Sequence, residues 1–507
     1  MKKLRTTGQC AAAVLQNHKA EPMRKLGWAK LACLLFTFCT ASAIASSAQA
    51  FTTLASFNAT NGANPVAGLV QGFSGNFYGT AQVGGVNNDS GVVFEITPSG
   101  SQTTLYSFCS QANCTDGETP YAALVQATNG NLYGTTFGGG ANDSGTVFEI
   151  TPAGKLTTLY SFCSQANCAD GAYAYAPLTQ ASNGAFYGTT YEGGANNEGT
   201  VFEISPTGKF RTLYSFCSQA FCTDGEYPRA GLIRAPNGNL YGTTEAGGID
   251  GPFNGDGTMF EITPAGKLTT LYTFCPQPGC TDGANPYAGL AQATNGSFYG
   301  TTFAGGAKNN GTIFEMIAGG SFTTLHSFCT WKNCLDGADP AAGLVHATNG
   351  NFYGTTTSGG ANGYGTIFES APSGAMSILY NFCAQTNCSD GLTPYAGLMQ
   401  ATNGTFYGTT VGGGSNDVGT VFSLSMGLAP FVETLPTSGR VGASVVILGN
   451  NLTGTTKVTF NGTPGTFTVI SATEIKTTVP SGASTGTVQV TAPGGELNSN
   501  IVFRVTE

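Results

Sequence analysis

A six-residue segment that returns at a fixed interval is the strongest constraint on this chain. Its clearest copy reads Asn131-Leu-Tyr-Gly-Thr-Thr136. Successive copies of its Tyr-Gly pair lie 54 or 55 residues apart, with one interval of 58, and the tyrosines are Tyr78, Tyr133, Tyr187, Tyr241, Tyr299, Tyr353 and Tyr407. A period in this range predicts a repeat architecture, in which each unit buries its apolar face against the next one.

Each period divides into four short apolar runs separated by turn residues. In one unit we predict strands over 122–127, 131–136, 145–150 and 155–162. The Asn-Gly and Pro-x-Gly turns between these runs favour hairpins, so each unit is predicted to be a four-stranded antiparallel meander. Four strands in about 50 residues are typical of a β-propeller blade.

The two ends of the repeat region are complementary. Residues 51–57 form a fourth-strand sequence ahead of any complete unit, and the last unit stops after its third strand, at Met426. We therefore predict that the N-terminal strand completes the last blade and that residues 51–427 close as seven blades. The longest interval has its extra residues between Gly247 and Gly257, in a predicted loop.

The first 50 residues have the features of an export signal. Positive charge at Arg24 and Lys25 precedes an apolar run over 31–45, and Ala48-Gln-Ala50 is a small-residue cleavage site. Cleavage is expected after Ala50, Met23 is a candidate start residue, and an uncleaved membrane anchor is the alternative. No membrane span is expected in the mature chain.

The charge of the mature chain excludes two classes of partner. Residues 51–507 contain 12 Lys and Arg against 27 Asp and Glu, a net charge of −15. An acidic surface with few cations disfavours nucleic acid and anionic lipid. A monomer is expected.

Twelve cysteines after the leader form six pairs, each with four residues between partners. In an exported chain this even pairing predicts disulfides. Zinc is the alternative, but the spacing is not the usual one and no histidine is nearby. The pairs are Cys109/Cys114, Cys163/Cys168, Cys217/Cys222, Cys275/Cys280, Cys329/Cys334 and Cys383/Cys388.

The repeat pattern and the cysteines stop before Leu428. Short alternating runs such as Val445–Leu448 and Lys457–Phe460 follow, with turn residues every 8–12 positions or so, which is typical of a β-sandwich. Residues 428–507 are therefore predicted to form a separate all-β domain.

Three sequence blocks carry a family resemblance. The segments LYGTT, GGxxNxGTVFEI and TLYSF together make the units similar to the bacterial GloVer (Gloeo/Verruco) tandem repeat. The diglycine after the second strand is also kelch-like, although the paired kelch tryptophan is absent. Residues 428–507 resemble an IPT/TIG immunoglobulin-like domain. The resemblance implies a secreted or cell-surface repeat protein and brings no established activity.

Strand direction places the long polar loops on one face, where propellers commonly bind ligands. Each cysteine loop there ends in Asp-Gly, and we consider these carboxylates with neighbouring aromatic rings as a surface for carbohydrate or protein. The alternative is that the aspartates cap a turn beside the disulfide. The candidates are Asp116, Asp170, Asp224, Asp282, Asp336, Asp390, Tyr121, Tyr175, Tyr287, Tyr395 and Trp331.

Other polar residues offer weaker candidates. Asn142 and Asp143 could supply oxygen ligands to calcium, but they lack the ladder of a known calcium loop, so no cofactor is expected. The glutamate of Phe-Glu-Ile recurs once per unit, too widely spaced for a glycosidase pair, and is expected to hydrogen-bond tyrosine. His326 and His346 replace Tyr and Gln of other units. We therefore expect a non-enzymatic exported binding or scaffold protein. The alternatives are a polysaccharide hydrolase or lyase and a structural adhesin.

Overall fold

The computed structural model describes residues 49–248, 255–276, 278–317 and 320–506. All but the last two residues of the predicted signal peptide and most of the insertion near Gly251 lie outside these residues. Residues 49–507 form one unit, and its described part is entirely β-structure apart from short 3₁₀ turns in the cysteine loops. The 3₁₀ turns are Ala112–Cys114, Ala166–Cys168, Ala220–Cys222, Lys332–Cys334 and Thr386–Cys388.

The repeats fold as four-stranded antiparallel sheets, as the period predicts, and seven are present in the described residues. We number these repeat sheets 1 to 7 in chain order. The first strands are Val70–Gln71, Val125–Gln126, Thr179–Gln180, Ile233–Arg234, Ala291–Gln292, Val345–His346 and Met399–Gln400. The second strands are Phe77–Ala81, Leu132–Thr136, Phe186–Thr190, Leu240–Thr244, Phe298–Thr302, Phe352–Thr356 and Phe406–Thr410.

The third strands have five or six residues and the fourth strands six or seven. The third strands are Val92–Ile96, Thr146–Ile150, Thr200–Ile204, Thr258–Ile262, Thr312–Met316, Thr366–Ser370 and Thr420–Ser425. The fourth strands are Gln102–Ser107, Leu156–Ser161, Phe210–Ser215, Leu268–Thr273, Phe322–Ser327 and Met376–Asn381, with Ala50–Ser56 in this place in sheet 7.

The first strand is much shorter than its sequence suggests. We predicted a strand over 122–127, but only Val125–Gln126 pairs in the ladder. The carbonyl of Ala122 instead accepts a hydrogen bond from Thr80 Oγ1 of the preceding sheet, at 2.9 Å. This segment therefore connects two sheets rather than extending one.

The repeated segment is the second strand, and each of its residues has a packing role. Tyr133 is buried and donates to Glu149 of the third strand at 2.8 Å, the tyrosine hydrogen bond expected of that glutamate. Gly134 is required because a Cβ there would lie 2.7 Å from Cζ of Phe148. Thr136 Oγ1 lies 2.9 Å from Thr146 Oγ1 across the hairpin. The segment is therefore structural in every unit.

The other threonine of this segment joins neighbouring sheets. Thr135 Oγ1 donates to the carbonyl of Ala176 in the next sheet at 3.3 Å. Equivalent bonds join each of the other sheets to the sheet that follows it in the chain. In sheet 7, Thr409 donates to the carbonyl of Ala67 at 3.2 Å, and Ala67 lies just ahead of the first strand of sheet 1. Apolar cores span the same junctions, including one that contains Phe77 and Val421.

The N-terminal strand pairs with sheet 7. Ala50–Ser56 runs antiparallel to Thr420–Ser425, with Phe51 opposite Leu424 and Ser56 opposite Thr420. Phe57, which follows the strand, is fully buried and meets Phe94 of sheet 1 edge-on, with ring centroids 5.1 Å apart.

Residues after Ser425 form two further four-stranded sheets around a separate core. In spatial order, one contains Glu433–Leu435, Ser444–Leu448, Glu474–Thr478 and Phe467–Val469. The other contains Thr463–Pro464, Lys457–Phe460, Val488–Ala492 and Gly495–Asn498, and Ser438–Arg440 pairs in parallel with Arg504–Thr506. Ile447, Phe460 and Val490 are buried together between the sheets.

Among the residues that the structure describes, no helix is long and apolar enough to cross a membrane.

Candidate functional site

All six predicted cysteine pairs form disulfides within their own loops. A carboxylate lies near three of them, at Glu118, Glu226 and Asp256. Oxidised sulfurs carry no thiolate, so these groups do not make the zinc site considered from the sequence. Several disulfides in one chain are typical of an extracellular protein.

Five of the six aspartates of the cysteine loops are fully buried rather than presented to a ligand. Asp170 Oδ2 accepts hydrogen bonds from the Tyr160 hydroxyl at 2.7 Å and from the backbone N–H of Ser164 at 2.9 Å. Its Oδ1 accepts from the N–H of Gln165 at 3.1 Å. Burial alone would raise the pKa of Asp170, but these hydrogen bonds lower it below its usual value. The carboxylate therefore caps the turn beside the disulfide, which was the alternative considered from the sequence. It is not part of an exposed binding surface.

The other loops repeat this arrangement with two variations. Asp116, Asp224, Asp336 and Asp390 are fully buried, whereas Asp282 is partly exposed and accepts from Tyr272 and from the N–H of Cys275. His326 takes the place of the tyrosine and lies 3.1 Å from Asp336. Burial lowers the pKa of His326 despite this carboxylate. It is a repeat variant, as its sequence position suggests.

Trp331 and the calcium candidates lie in exposed loops. Trp331 is 44% exposed, and its backbone N–H donates to Asp336 Oδ1. Asn142 donates to the carbonyl of Phe162 at 3.0 Å, and Asp143 accepts from the N–H of Gly139 at 3.3 Å. The first contact ties the loop to the end of the fourth strand, and the second closes the loop on itself.

The predicted tyrosines do come together. Each of them stands at the same position of its repeat, just ahead of the first strand. The residues at this position in all seven repeats line one cavity of about 390 Å³, which we call the mouth. These residues are Val66, Tyr121, Tyr175, Arg229, Tyr287, Ala341 and Tyr395. The four tyrosines are half-buried, so part of each side chain is accessible from the cavity.

Arg229 reaches across the mouth. Its Nη2 donates to the hydroxyl of Tyr395 at 2.8 Å, a contact between repeats 166 residues apart. Its Cζ lies 5.0 Å from the ring centroid of Tyr175 and 4.6 Å from that of Tyr287. Such cation–π contacts contribute up to about 2 kcal/mol each when desolvated. Arg229 thus ties together tyrosines from three other sheets.

Glu245 is the counter-charge of Arg229. Its Oε2 is buried and lies 3.7 Å from Arg229 Nη1, beyond hydrogen-bonding distance. Burial raises the pKa of the Glu245 carboxyl, and the charge of Arg229 and the hydroxyls of Tyr287 and Tyr191 oppose that rise. The negative charge of Glu245 thus compensates the positive charge that Arg229 brings to the mouth.

A second layer of aromatic rings supports one side of the mouth. Phe137 lies with its ring centroid 4.8 Å from those of Tyr173 and Tyr175, and Tyr191 stacks on Tyr227 at 4.9 Å. Phe303 stacks on Tyr287 at 4.7 Å. The side formed by Val66 and Ala341 carries small residues instead, so the mouth is asymmetric.

The sequence pattern did not lead us to predict Arg229, Glu245 or the mouth itself. A signal was available, because Arg229 occupies the position that holds tyrosine in four other repeats, and Glu245 occupies one held by Gln82, Phe137 and Tyr191. The prediction gave most weight to the aspartate that every cysteine loop repeats. The mouth is instead lined by a position whose residue type differs among the repeats.

Three of the solved structures that match this chain do so at 12–15% sequence identity. A fungal alcohol oxidase of the AA5 family, in complex with copper, matches with 12% identity and a TM-score of 0.49, covering 90% of this chain and 99% of the oxidase. An auxiliary nutrient binding protein from Bacteroides ovatus matches with 12% identity and a TM-score of 0.38, over 74% of this chain and 76% of that protein. An alpha-L-arabinanase from Penicillium chrysogenum, complexed with arabinobiose, matches with 15% identity and a TM-score of 0.34, over 60% and 92%.

A comparison with curated proteins found no match to this chain. The family comparison is decisive, because the model of the Gloeobacter/Verrucomicrobia repeat matches residues 38–253 and again 249–470. These two matches span most of the sequence and include all seven repeat sheets. The chain belongs to the Gloeobacter/Verrucomicrobia repeat family.

Proposed function

We propose that this protein is an exported, non-enzymatic binding protein that holds a carbohydrate at the mouth. Its scaffold is a kelch-like seven-bladed propeller over residues 51–427, closed by the N-terminal strand, and an IPT/TIG immunoglobulin-like domain over 428–507. The leader is removed after Ala50, and the mature chain is secreted or held at the cell surface.

Contacts between the first and last repeats support the closed ring. The strand Ala50–Ser56 supplies the fourth strand of sheet 7, and all of it except Ala50 remains after the proposed cleavage. Thr409 donates to the carbonyl of Ala67 in the same way as Thr135 donates to that of Ala176. Shared buried cores join sheets 1 and 7 as they join neighbours elsewhere in the series. An open stack would leave its two terminal sheets without this mutual burial.

The tyrosines around the mouth are the observation that carries the proposed function. A tyrosine presents an apolar ring face and a hydroxyl that both donates and accepts, which matches the apolar faces and hydroxyl edges of a sugar. The cavity of about 390 Å³ is within the size range of small-molecule sites. A concave mouth of this size suits the end of a glycan better than a flat protein surface.

The same residues favour binding over hydrolysis. A glycosidase needs two carboxyl groups that flank one glycosidic bond. Within the described residues, no aspartate or glutamate lines the mouth, and the Glu245 carboxyl behind it is occupied with Arg229. A polysaccharide-active enzyme is the second candidate, and the experiment below distinguishes it.

The test is a glycan array probed with the full chain exported through an oxidising compartment, with reducing-sugar release assayed in parallel. Tyr121→Ala and Tyr287→Ala should each weaken binding about tenfold or more, because each removes a ring from the wall. Tyr364→Ala is the matched control, since Tyr364 is 46% exposed and lies outside the mouth. Ala341→Tyr introduces the tyrosine that four other repeats have at this position. The added ring would fill the side of the mouth that now carries small residues, and should also block binding.

Three results would overturn the proposal. Release of reducing sugar would establish an enzyme. Glycan binding that survives all the mouth variants would place the site elsewhere. Binding to surface proteins without binding to any glycan would identify a protein ligand.

A further inference from the structure

A single arginine in a ligand cavity would ordinarily predict an acidic ligand. Arg229 is the only cation among the described residues that line the mouth. A guanidinium binds a carboxylate best through two parallel N–H donors, which must be free along one edge. The contacts of Arg229 decide whether such an edge is available.

Both terminal nitrogens of the guanidinium already have a neighbour. Nη2 donates to Tyr395 and Nη1 lies 3.7 Å from Glu245 Oε2, while Cζ lies over the rings of Tyr175 and Tyr287. A ligand carboxylate that pairs with Nη1 and Nη2 would therefore have to displace the Tyr395 hydroxyl and approach the Glu245 carboxylate. Because both carboxylates are negative and the site is partly desolvated, their repulsion is screened less than in water.

We propose that Glu245 sets the charge selectivity of the mouth, so that it accepts an uncharged sugar residue and rejects the corresponding uronic acid. This inference rests on the carbohydrate function proposed above. Glu245 acts through Arg229, as a positioning residue, and makes no contact with the ligand. With Glu245 neutralised, the Nη1 edge of Arg229 becomes available and the preference reverses toward the acidic sugar.

The repeats themselves supply a suitable substitution. Gln82 occupies in sheet 1 the position of Glu245 in sheet 4, so the backbone at this position accommodates glutamine. Gln82 donates to Tyr121, a mouth tyrosine of the next sheet, at 2.6 Å. Glu245→Gln therefore removes the charge with little change in shape. Glu192→Gln is the control, because Glu192 is a carboxylate of the neighbouring repeat and, unlike Glu245, forms no ion pair with Arg229.

The experiment compares matched methyl glycosides of glucose and glucuronate, galactose and galacturonate, and mannose and mannuronate, titrated against the full chain by saturation-transfer NMR. In the unmodified protein the uronate of the preferred pair should bind at least about tenfold more weakly than the neutral sugar. Glu245→Gln should shift this ratio by about tenfold or more toward the uronate, and that gain should fall as salt rises, whereas Glu192→Gln should leave the ratio unchanged.

The outcomes separate this inference from the proposed function. Neutral binding that Tyr121→Ala abolishes, with a ratio that Glu245→Gln does not change, overturns the role of Glu245 and leaves the carbohydrate site standing. A preference of the unmodified protein for the uronate overturns the inference in the same way. If no sugar of either kind binds, both the inference and the carbohydrate function are overturned. Melting temperatures of both glutamine variants show whether the fold is retained.

Discussion

The cysteine loops and the mouth belong to the same repeats but are built in opposite ways. Each of the six cysteine loops ends in an aspartate that accepts hydrogen bonds from its own loop, as Asp170 does from Ser164 and Gln165. At the mouth, equivalent backbone carries valine, tyrosine, arginine or alanine. A residue that every unit needs for its own folding is repeated. A position with no such requirement is free to vary and to serve a ligand.

Tyrosine shows the same contrast within one repeat. Tyr133 is 1% exposed and donates to Glu149, and burial raises its pKa to about 12. Tyr121 is half-buried, faces the mouth and accepts a hydrogen bond from Gln82. Substituting residues from the two classes should therefore affect different properties of the protein.

The largest expected effect is on the junction between the first and last sheets. Phe57→Ala should lower the free energy of unfolding by about 3–5 kcal/mol, because it removes a fully buried ring that packs on Phe94. Phe216→Ala is the matched variant, since Phe216 is equally buried and packs on Phe260 of the next sheet. Chemical denaturation of both variants measures the difference. A loss for Phe57→Ala that is small beside that of Phe216→Ala would contradict ring closure.

Asp170→Asn should cost about 2–3 kcal/mol of stability and leave ligand binding intact, because it places an amide donor against N–H groups that need an acceptor. Since the folded pKa of Asp170 is lowered, the stability from its charge is present above its unfolded pKa of about 3.9 and is lost as the pH falls through the folded value. The stability gap between the variant and the unmodified protein should therefore narrow below about pH 4. Tyr121→Ala should show the reverse pattern, with binding lost and stability retained.

A smaller effect concerns Glu433, which lines a 270 Å³ cavity with Gln71 and Met399 of the repeat sheets. Burial raises the pKa of Glu433 to about 7, although a hydrogen bond from Asn500 opposes the rise. The folded protein thus retains this proton to higher pH than the unfolded chain does, so the contribution of Glu433 to stability falls from about pH 4.5 to about pH 7 and is constant above.

Glu433→Gln should therefore raise stability at about pH 8 by about 1–2 kcal/mol and change it little below about pH 4.5. The side chain borders the cavity, which moderates the effect below that of complete burial. Denaturation at both pH values measures it, with Glu496→Gln, at an exposed carboxyl of the same domain, as the control. An equal change at both pH values would show that desolvation of Glu433 is not the cause.

Much of the repeat unit was predictable because its contacts are local. The Asn-Gly and Pro-x-Gly turns bring together strands a few residues apart, and partners in each disulfide are five positions apart. The tyrosine bond to Glu149 crosses only one hairpin. The first strand was predicted too long because the bond from Thr80 to Ala122 joins two repeats, and no local pattern reports it.

By itself, the sequence determined the period, the four-stranded unit, the disulfides and the family to which the chain belongs, since each depends on residues within one repeat. The tertiary structure alone decided that five of the six loop aspartates are fully buried and that four tyrosines line the mouth. Arg229 meets Tyr395 from 166 positions away because the repeats bring equivalent positions around one cavity. That meeting depends on the packing of all the sheets, and no single repeat contains the information to produce it.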